Sequence, residues 1–150
     1  MQIRPLASTD YKRGHLAVLS VLTETPDIGE EAWRAQFAAL HSTPDTYYVI
    51  VIVDRNSDKI IGVGSLVVER KFLRGLGKVG HIEDIAVGKQ QQGKKVGLRV
   101  IHALTHISEF TGCYKTILNC SESNIRKFSK ARFWLTDGTI GYSVLREVWI

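Results

Sequence analysis

The sequence predicts an α+β domain, a mixed and mostly antiparallel sheet with helices on both faces. Three observations carry that expectation. Two apolar, β-branched runs, residues 47–53 and 60–69, are separated only by the polar stretch Asp54-Arg55-Asn56-Ser57-Asp58, which is a hairpin pattern. Farther along, Val96, Val100, Ile101, Leu104 and Ile107 fall on one stripe at helical spacing. The early strands form a meander rather than alternating with helices, which is not the order of a dinucleotide-binding unit. At 150 residues the chain suits a single domain over 1–150.

The elements follow in order. Residues 3–6 read as a short edge strand, since Pro5 removes a ladder donor. Thr9-Asp10 is placed to cap a helix carrying Leu16, Leu19 and Leu22, with Gly14 inside it. Thr25-Pro26-Asp27 breaks the chain. A second helix is expected over 30–41, burying Trp33, Phe37 and Leu40 at three- and four-residue spacing. After the hairpin, residues 71–78 form a basic, glycine-containing loop and 81–87 a strand. Residues 93–110 read as a helix with Gly112 as its stop. A buried strand over 116–120, a basic helix over 124–130, a turn at Asp137-Gly138 and a last strand over 142–150 complete the expectation.

Composition narrows the class. Apolar residues make up 44% and charged residues 23%, the balance of a globular chain that buries a core. No run approaches the ~18 apolar residues of a membrane span. The start Met1-Gln2-Ile3-Arg4-Pro5 lacks a signal-peptide stretch. Cys113 and Cys120 imply neither a disulfide framework nor a metal cluster. The expected setting is intracellular and cytoplasmic, with an organellar matrix open. The net charge of +5 admits either a nucleic acid or a smaller polyanion as partner. The cations gather around a helix start and a glycine loop rather than an aromatic-rich face, so no nucleic-acid partner is expected. His102 and His106 share a helix face at metal-compatible spacing, but no acidic or cysteine partner sits near them in sequence; no metal is expected.

The stretch that carries chemistry is Ile85-Ala86-Val87-Gly88-Lys89-Gln90-Gln91-Gln92-Gly93-Lys94-Lys95-Val96-Gly97-Leu98. A strand runs out, a short polar loop follows, and a helix opens between two glycines. Amides at a helix start lack intrahelical acceptors, and the helix dipole adds partial positive charge. Lys94 and Lys95 add full charges. Such a site cradles a pyrophosphate.

Gln92-Gly93-Lys94-Lys95-Val96-Gly97 resembles the acetyl-CoA loop of the GNAT superfamily of N-acetyltransferases, Gln/Arg-x-x-Gly-x-Gly/Ala, with Lys95 in place of the middle glycine. Other segments are similar to the eukaryotic glucosamine-6-phosphate N-acetyltransferase subfamily. These are Ile3-Arg4-Pro5-Leu6, Val21-Leu22-Thr23-Glu24-Thr25, Glu69-Arg70-Lys71-Phe72, Gly80-His81-Ile82-Glu83-Asp84-Ile85-Ala86-Val87 and Gly112-Cys113-Tyr114-Lys115. The resemblance implies a GNAT fold, acetyl-CoA as co-substrate and acetyl transfer to the 2-amine of glucosamine 6-phosphate, a step toward UDP-N-acetylglucosamine. It also implies a homodimer whose C-terminal strand completes the partner's sugar-phosphate site.

Residue by residue, the resemblance assigns the cofactor to Ile85, Ala86, Val87, Gly88, Gly93, Lys94, Lys95, Val96, Gly97, Leu98, Asn119 and Asn124. The Val87 N–H would act as an oxyanion donor. The sugar falls to Thr23, Lys71, Phe72, Leu73, Arg74, Glu83, Asp84, Ile85, Tyr114, Lys115 and Arg146. Glu83 and Asp84 are adjacent on a strand and should point to opposite faces unless a bulge realigns them. The sequence departs from the subfamily at two catalytic positions. Asn119 stands where an acidic residue faces the amine, and Phe128 where a tyrosine serves the leaving thiolate. Ser129, Tyr114, Tyr142 or water are the substitutes to consider. The alternatives are a GNAT enzyme for another small amine, or a CoA-binding protein with reduced catalysis.

Overall fold

The structure, a computed structural model, describes residues 1–118. In chain order it contains β1 (Gln2–Pro5), α1 (His15–Leu19), α2 (Glu30–His41), β2 (Tyr47–Asp54), β3 (Lys59–Arg70), a single turn α3 (Leu73–Leu76), β4 (Lys78–Val87), α4 (Val96–Phe110) and β5 (Cys113–Leu118). The strands form one sheet in the order β1-β2-β3-β4-β5. The first three pairings are antiparallel and β4 pairs β5 in parallel. The expected mixed, mostly antiparallel sheet is present.

Both faces of the sheet are buried, which is why residues 47–53 read as a continuous apolar run. Ile50 and Ile52 of β2 join Leu66, Val68 and Ile82 beneath Val96, Val100 and Leu104 of α4. Val51 and Val53 face the other way and pack with Val18 of α1 and with Ile60, Val63 and Ala86. Glycines let α4 approach closely. A Cβ at Gly64 would stand 2.4 Å from Val100 Cγ1, and one at Gly80 would stand 2.3 Å from Ser108 Oγ. The helix therefore lies flat on β3 and β4 and fixes where its own N-terminus sits.

Several expected boundaries move. Asp10 caps no helix. Its buried carboxylate accepts two hydrogen bonds from the Arg4 guanidinium, both 2.7 Å, and one from the Ala7 N–H at 2.8 Å. That pairing closes a turn on β1, and α1 begins only after Gly14, at φ 85°. Leu22 lies beyond the end of α1. α4 starts at Val96 rather than Gly93, because Gly93 (φ 78°) and Lys95 (φ 61°) are both left-handed. The loop after β3 contains the turn α3, β4 begins at Lys78, and β5 occupies Cys113–Leu118. The helix expected over 124–130, the turn at Asp137-Gly138, the strand over 142–150 and residues Asn119, Cys120, Asn124, Phe128, Ser129, Tyr142 and Arg146 lie outside the described residues.

Candidate active site

Strand β4 organises the candidate site. Ser65 of β3 pairs with Glu83 and Val63 with Ala86, so two steps along β3 match three along β4. The extra residue makes a β-bulge, and Asp84 within it takes φ 54°. The bulge decides the question of the two carboxylates: Glu83 and Asp84 line the same cavity. Past the bulge, the Gly88 N–H donates to Ile61 O at 3.0 Å, whereas the Val87 carbonyl accepts from Gln92 Nε2 at 3.4 Å. Backbone groups alternate along a strand, so Val87 presents its N–H and C=O away from β3, and Ile85 shares its parity. The pairing of β4 with β5 covers only Lys78–Ile82 among the described residues, leaving this edge of residues 83–87 without a ladder partner there.

The strand leads into the anion cradle. A turn of 3-10 helix, Lys89–Gln91, is followed by the left-handed Gly93 and Lys95. The first bond into α4 is donated by Arg99 to Lys95 O at 3.2 Å, so the amides of Val96, Gly97 and Leu98 precede the ladder. α4 is fifteen residues long and aligns its dipole behind them. Lys94 Nζ donates to Gln91 Oε1 at 3.1 Å. A Cβ on Gly97 would meet only Val87 Cγ2 at 3.4 Å and Ile85 Cγ2 at 4.0 Å. Gly97 thus stands in ordinary contact distance of β4, and the amides, dipole and lysines together suit a diphosphate.

On the opposite face of the sheet lies a cavity of about 470 Å³ beneath α1 and α2. Its walls include Leu16, Trp33, Phe37 and Val63, and its polar end is formed by Ser65, Glu83 and Asp84. Ser65 Oγ donates to Glu83 O at 3.2 Å and lies 3.4 Å from Asp84 Oδ2. Burial, and then the neighbouring Asp84 charge, raises the Glu83 pKa above the ordinary carboxylate value. His15 also lines this cavity, with Nδ1 accepting the Trp33 indole N–H at 3.1 Å.

The remaining residues expected at the sugar lie elsewhere. Lys71 pairs with Glu69, whose other oxygen is 2.9 Å from His81 Nε2. Phe72 and Leu73 are 95% and 69% exposed. The Arg74 guanidinium stands 5.4 Å over the Tyr114 ring, which lies against the backbone at Gly77. By register, Lys115 sits beside Val79. This cationic group occupies the Lys78 end of β4, and at ~3.3 Å per residue Lys78 is about 17 Å along the strand from Glu83. Thr23 is exposed and does not line the cavity. Tyr114 lies at the same far end, beside Lys78 and Val79, about eight residues along β4 from Val87, too far to serve a thiolate there within one chain. His102 and His106 are exposed on α4. Gly75-Leu76-Gly77-Lys78-Val79-Gly80 spells Gly-x-Gly-x-x-Gly, but it runs into a strand rather than a helix and makes no phosphate turn.

Sequence reasoning missed the parts of the cavity that meet only through the fold. His15 and Ser65 each lie eighteen residues from their partners Trp33 and Glu83. Their available signal was a polar residue on an otherwise apolar face.

Residues 11–129 match the acetyltransferase (GNAT) family. The chain belongs to that family. Among the GNAT relatives, glucosamine 6-phosphate N-acetyltransferase 1 of Dictyostelium discoideum is 44% identical over 133 residues, covering 89% of this chain and 84% of that protein. Glucosamine 6-phosphate N-acetyltransferase of Candida albicans is 38% identical, covering 87% of each chain. The crystal structure of glucosamine-6-phosphate N-acetyltransferase from Arabidopsis thaliana superimposes with a TM-score of 0.85 at 34% identity, over 97% of this chain and 98% of that one. The α+β fold expected from the sequence is therefore a GNAT fold.

Proposed function

We propose that this GNAT enzyme transfers acetyl from acetyl-CoA to the 2-amine of glucosamine 6-phosphate, a step toward UDP-N-acetylglucosamine. The observation that carries the reading is the double duty of β4. Glu83 and Asp84 wall the cavity, and within four residues the outward backbone of Ile85 and Val87 leads to the cradle. A donor held at one end and an acceptor amine at the other would meet on a single strand. The names of relatives at 33–44% identity supply the sugar phosphate.

In this reading the amides of Val96, Gly97 and Leu98, with Lys94 and Lys95, hold the diphosphate of acetyl-CoA. Ile85, Ala86, Val87 and Gly88 align its arm, and Asn119 and Asn124 add contacts. The Val87 N–H donates to the thioester oxygen as charge builds there. Glu83 and Asp84 accept from sugar hydroxyls and hold the amine close, which supplies most of what a facile amine–thioester reaction needs. The neutral amine attacks the carbonyl carbon, the C–S bond breaks, and the proton the nitrogen sheds to become an amide is balanced by the one the departing thiolate takes up. Asn119 can orient the amine but cannot deprotonate it, and Phe128 can pack on the arm but cannot donate. Ser129, Tyr142 or water then serves the thiolate.

The phosphate needs cations, and along the strand Lys115, beside Val79, stands about 13 Å from Glu83 while Lys71 and Arg74, at the Lys78 end, stand about 17 Å or more away, farther than one hexose phosphate spans. We therefore favour a homodimer in which Lys71, Phe72, Leu73, Arg74, Tyr114, Lys115 and Arg146 serve the partner's sugar. Exposed Phe72, Leu73 and Leu76 (71%) suit such a boundary. Thr23 would contribute only from the edge. Mixing Arg146→Ala with Gly97→Val should restore part of the activity. No recovery despite demonstrated subunit exchange would leave only the single-chain site.

The substrate is tested by identifying the product. With carbon-13-labelled acetyl-CoA and glucosamine 6-phosphate, NMR should show the label as an amide on the 2-nitrogen. Label on another offered amine instead would move the assignment to that amine.

A further inference from the structure

His15 is a buried polar side chain that the proposed chemistry leaves unused. It opens α1 directly after the left-handed Gly14, with its ring against Trp33 of α2 and in the wall of the cavity. The residue is only 8% exposed. Its Nδ1 accepts the Trp33 indole N–H at 3.1 Å, and an indole can only donate. Burial lowers the His15 pKa and favours the neutral ring, so the single ring proton sits on Nε2. Nε2 is buried and has no hydrogen-bond partner among the described residues. Buried N–H groups are nearly always paired, because an unpaired one gives up water with nothing in return. The bond from Trp33 accounts for Nδ1 and leaves Nε2 without a use.

The same cavity is acidic at its polar end. Ser65, Glu83 and Asp84 form that end, and Asp84 lies near enough for its charge to oppose the effect of burial on His15. Asp10 acts on the ring in the same sense, but its oxygens are taken by Arg4, Arg13 and the Ala7 N–H. Ser65 has given its hydrogen to Glu83 O, and ionised carboxylates only accept. The cavity therefore sets an N–H donor on one wall and acceptors on another. An ammonium satisfies only the acceptors, and an anion is repelled by the two carboxylates. A hydroxyl serves both, accepting from Nε2 and donating to a carboxylate. We propose that His15 is a specificity-determining residue, its Nε2–H donating to one ring hydroxyl of the acetyl acceptor. The bond forms away from water, where the loss of either partner is most costly. The inference rests on the reading of this cavity as the amino-sugar site and adds to it a residue from outside β4.

The test removes the ring donor and the sugar hydroxyls in turn. His15→Asn keeps a carbonyl oxygen near the Nδ1 position for Trp33 but has no counterpart of Nε2. His15→Gln can place an N–H near the Nε2 position instead. Each is assayed with acetyl-CoA and glucosamine 6-phosphate, or its 1-deoxy, 3-deoxy or 4-deoxy analogue. For at least one analogue, loss of the hydroxyl should cost the unmodified protein about 10-fold more in kcat/KM than it costs His15→Asn. His15→Gln should recover part of that difference, which a merely structural role for the ring would not produce. NMR of the histidine ring nitrogens gives a readout that needs no variant. Saturating N-acetylglucosamine 6-phosphate should shift the His15 Nε2–H signal and slow its exchange with water. Equal deoxy penalties in the unmodified protein and His15→Asn, for all three analogues, overturn the proposal and leave the sugar site standing. Where His15→Asn does not fold, an unmoved His15 signal overturns it instead. If the unmodified protein does not acetylate glucosamine 6-phosphate, the reading of the cavity falls, and this proposal with it.

Discussion

The indole N–H of Trp33 donates to Nδ1 of His15 across 3.1 Å, with the two rings edge to face and their centres 5.6 Å apart. An indole is a donor only, so Nδ1 holds its lone pair and the neutral ring carries its proton on Nε2. The bond ties α1 to α2 above the candidate sugar cavity.

That tie has a pH signature. Burial holds the His15 pKa below its ordinary value, against the opposing pull of Asp10 and Asp84. The unfolded chain takes up a proton near pH 6.5 while the folded chain resists, so stability must fall as the pH drops below that value. His15→Phe should flatten the decline in melting temperature between pH 7 and 5. At pH 8 it should cost about 1–3 kcal/mol, because Trp33 loses a buried acceptor. An unchanged pH slope would show that His15 titrates normally.

Asp10 acts in a separate, more acidic window. Burial alone would raise its pKa, but the Arg4 hydrogen bonds, the Ala7 N–H and Arg13 outweigh it and hold the carboxyl below its ordinary value. Its stabilisation is present above about pH 3.9 and is lost as the pH falls through the folded-state pKa. Asp10→Asn should cost about 2–3 kcal/mol at neutral pH, less than a fully buried pair because Arg4 remains partly exposed. Denaturant melts of the two proteins, converging toward pH 2, would bear this out. A constant difference from pH 7 to 2 would not.

Gly97→Val tests the cradle. Among the described residues a Cβ there meets only Val87 Cγ2 at 3.4 Å and Ile85 Cγ2 at 4.0 Å, so the variant should stay folded, with a melting temperature within a few degrees of the unmodified protein. Its methyls would crowd the gap between the start of α4 and Val87, where the cofactor is proposed to lie, and should raise the KM for acetyl-CoA by at least about 10-fold. A folded variant with unchanged CoA affinity would place the pyrophosphate elsewhere.

Asp84→Asn tests the acidic end of the cavity. Asparagine tolerates the left-handed backbone at φ 54°, so the bulge should survive while the charge is removed. The KM for glucosamine 6-phosphate should rise about 10-fold, with the KM for acetyl-CoA unaffected. Equal effects on both substrates would point to a damaged strand rather than a lost sugar contact.

The sheet, helix α2 and the α4 stripe were legible because each rests on local periodicity. Of the three α2 residues expected in the core, however, only Trp33 is buried; Phe37 and Leu40 are half-buried and line the cavity under α2. Two buried faces gave β2 its unbroken apolar run, and residues 96–107 kept one stripe. What stayed hidden depends on partners distant in sequence. Asp10 looks like a cap until Arg4, across a turn, takes both its oxygens. The placing of Glu83 and Asp84 on one wall depends on their register against β3, which no spacing within β4 encodes. The anion cradle was legible because its glycines and lysines are contiguous. The residues proposed for the sugar were harder to bring together, because most of them stand at opposite ends of β4.

The most direct measurement is thiol release from acetyl-CoA in the presence and absence of glucosamine 6-phosphate, with glucosamine and a phosphorylated sugar lacking the amine as controls. Release should depend on glucosamine 6-phosphate, proceed far more slowly with glucosamine, and be absent with the amine-free sugar phosphate. Release that ignores the added sugar, or CoA binding with no release under any condition, would contradict the assignment of this GNAT enzyme to glucosamine 6-phosphate.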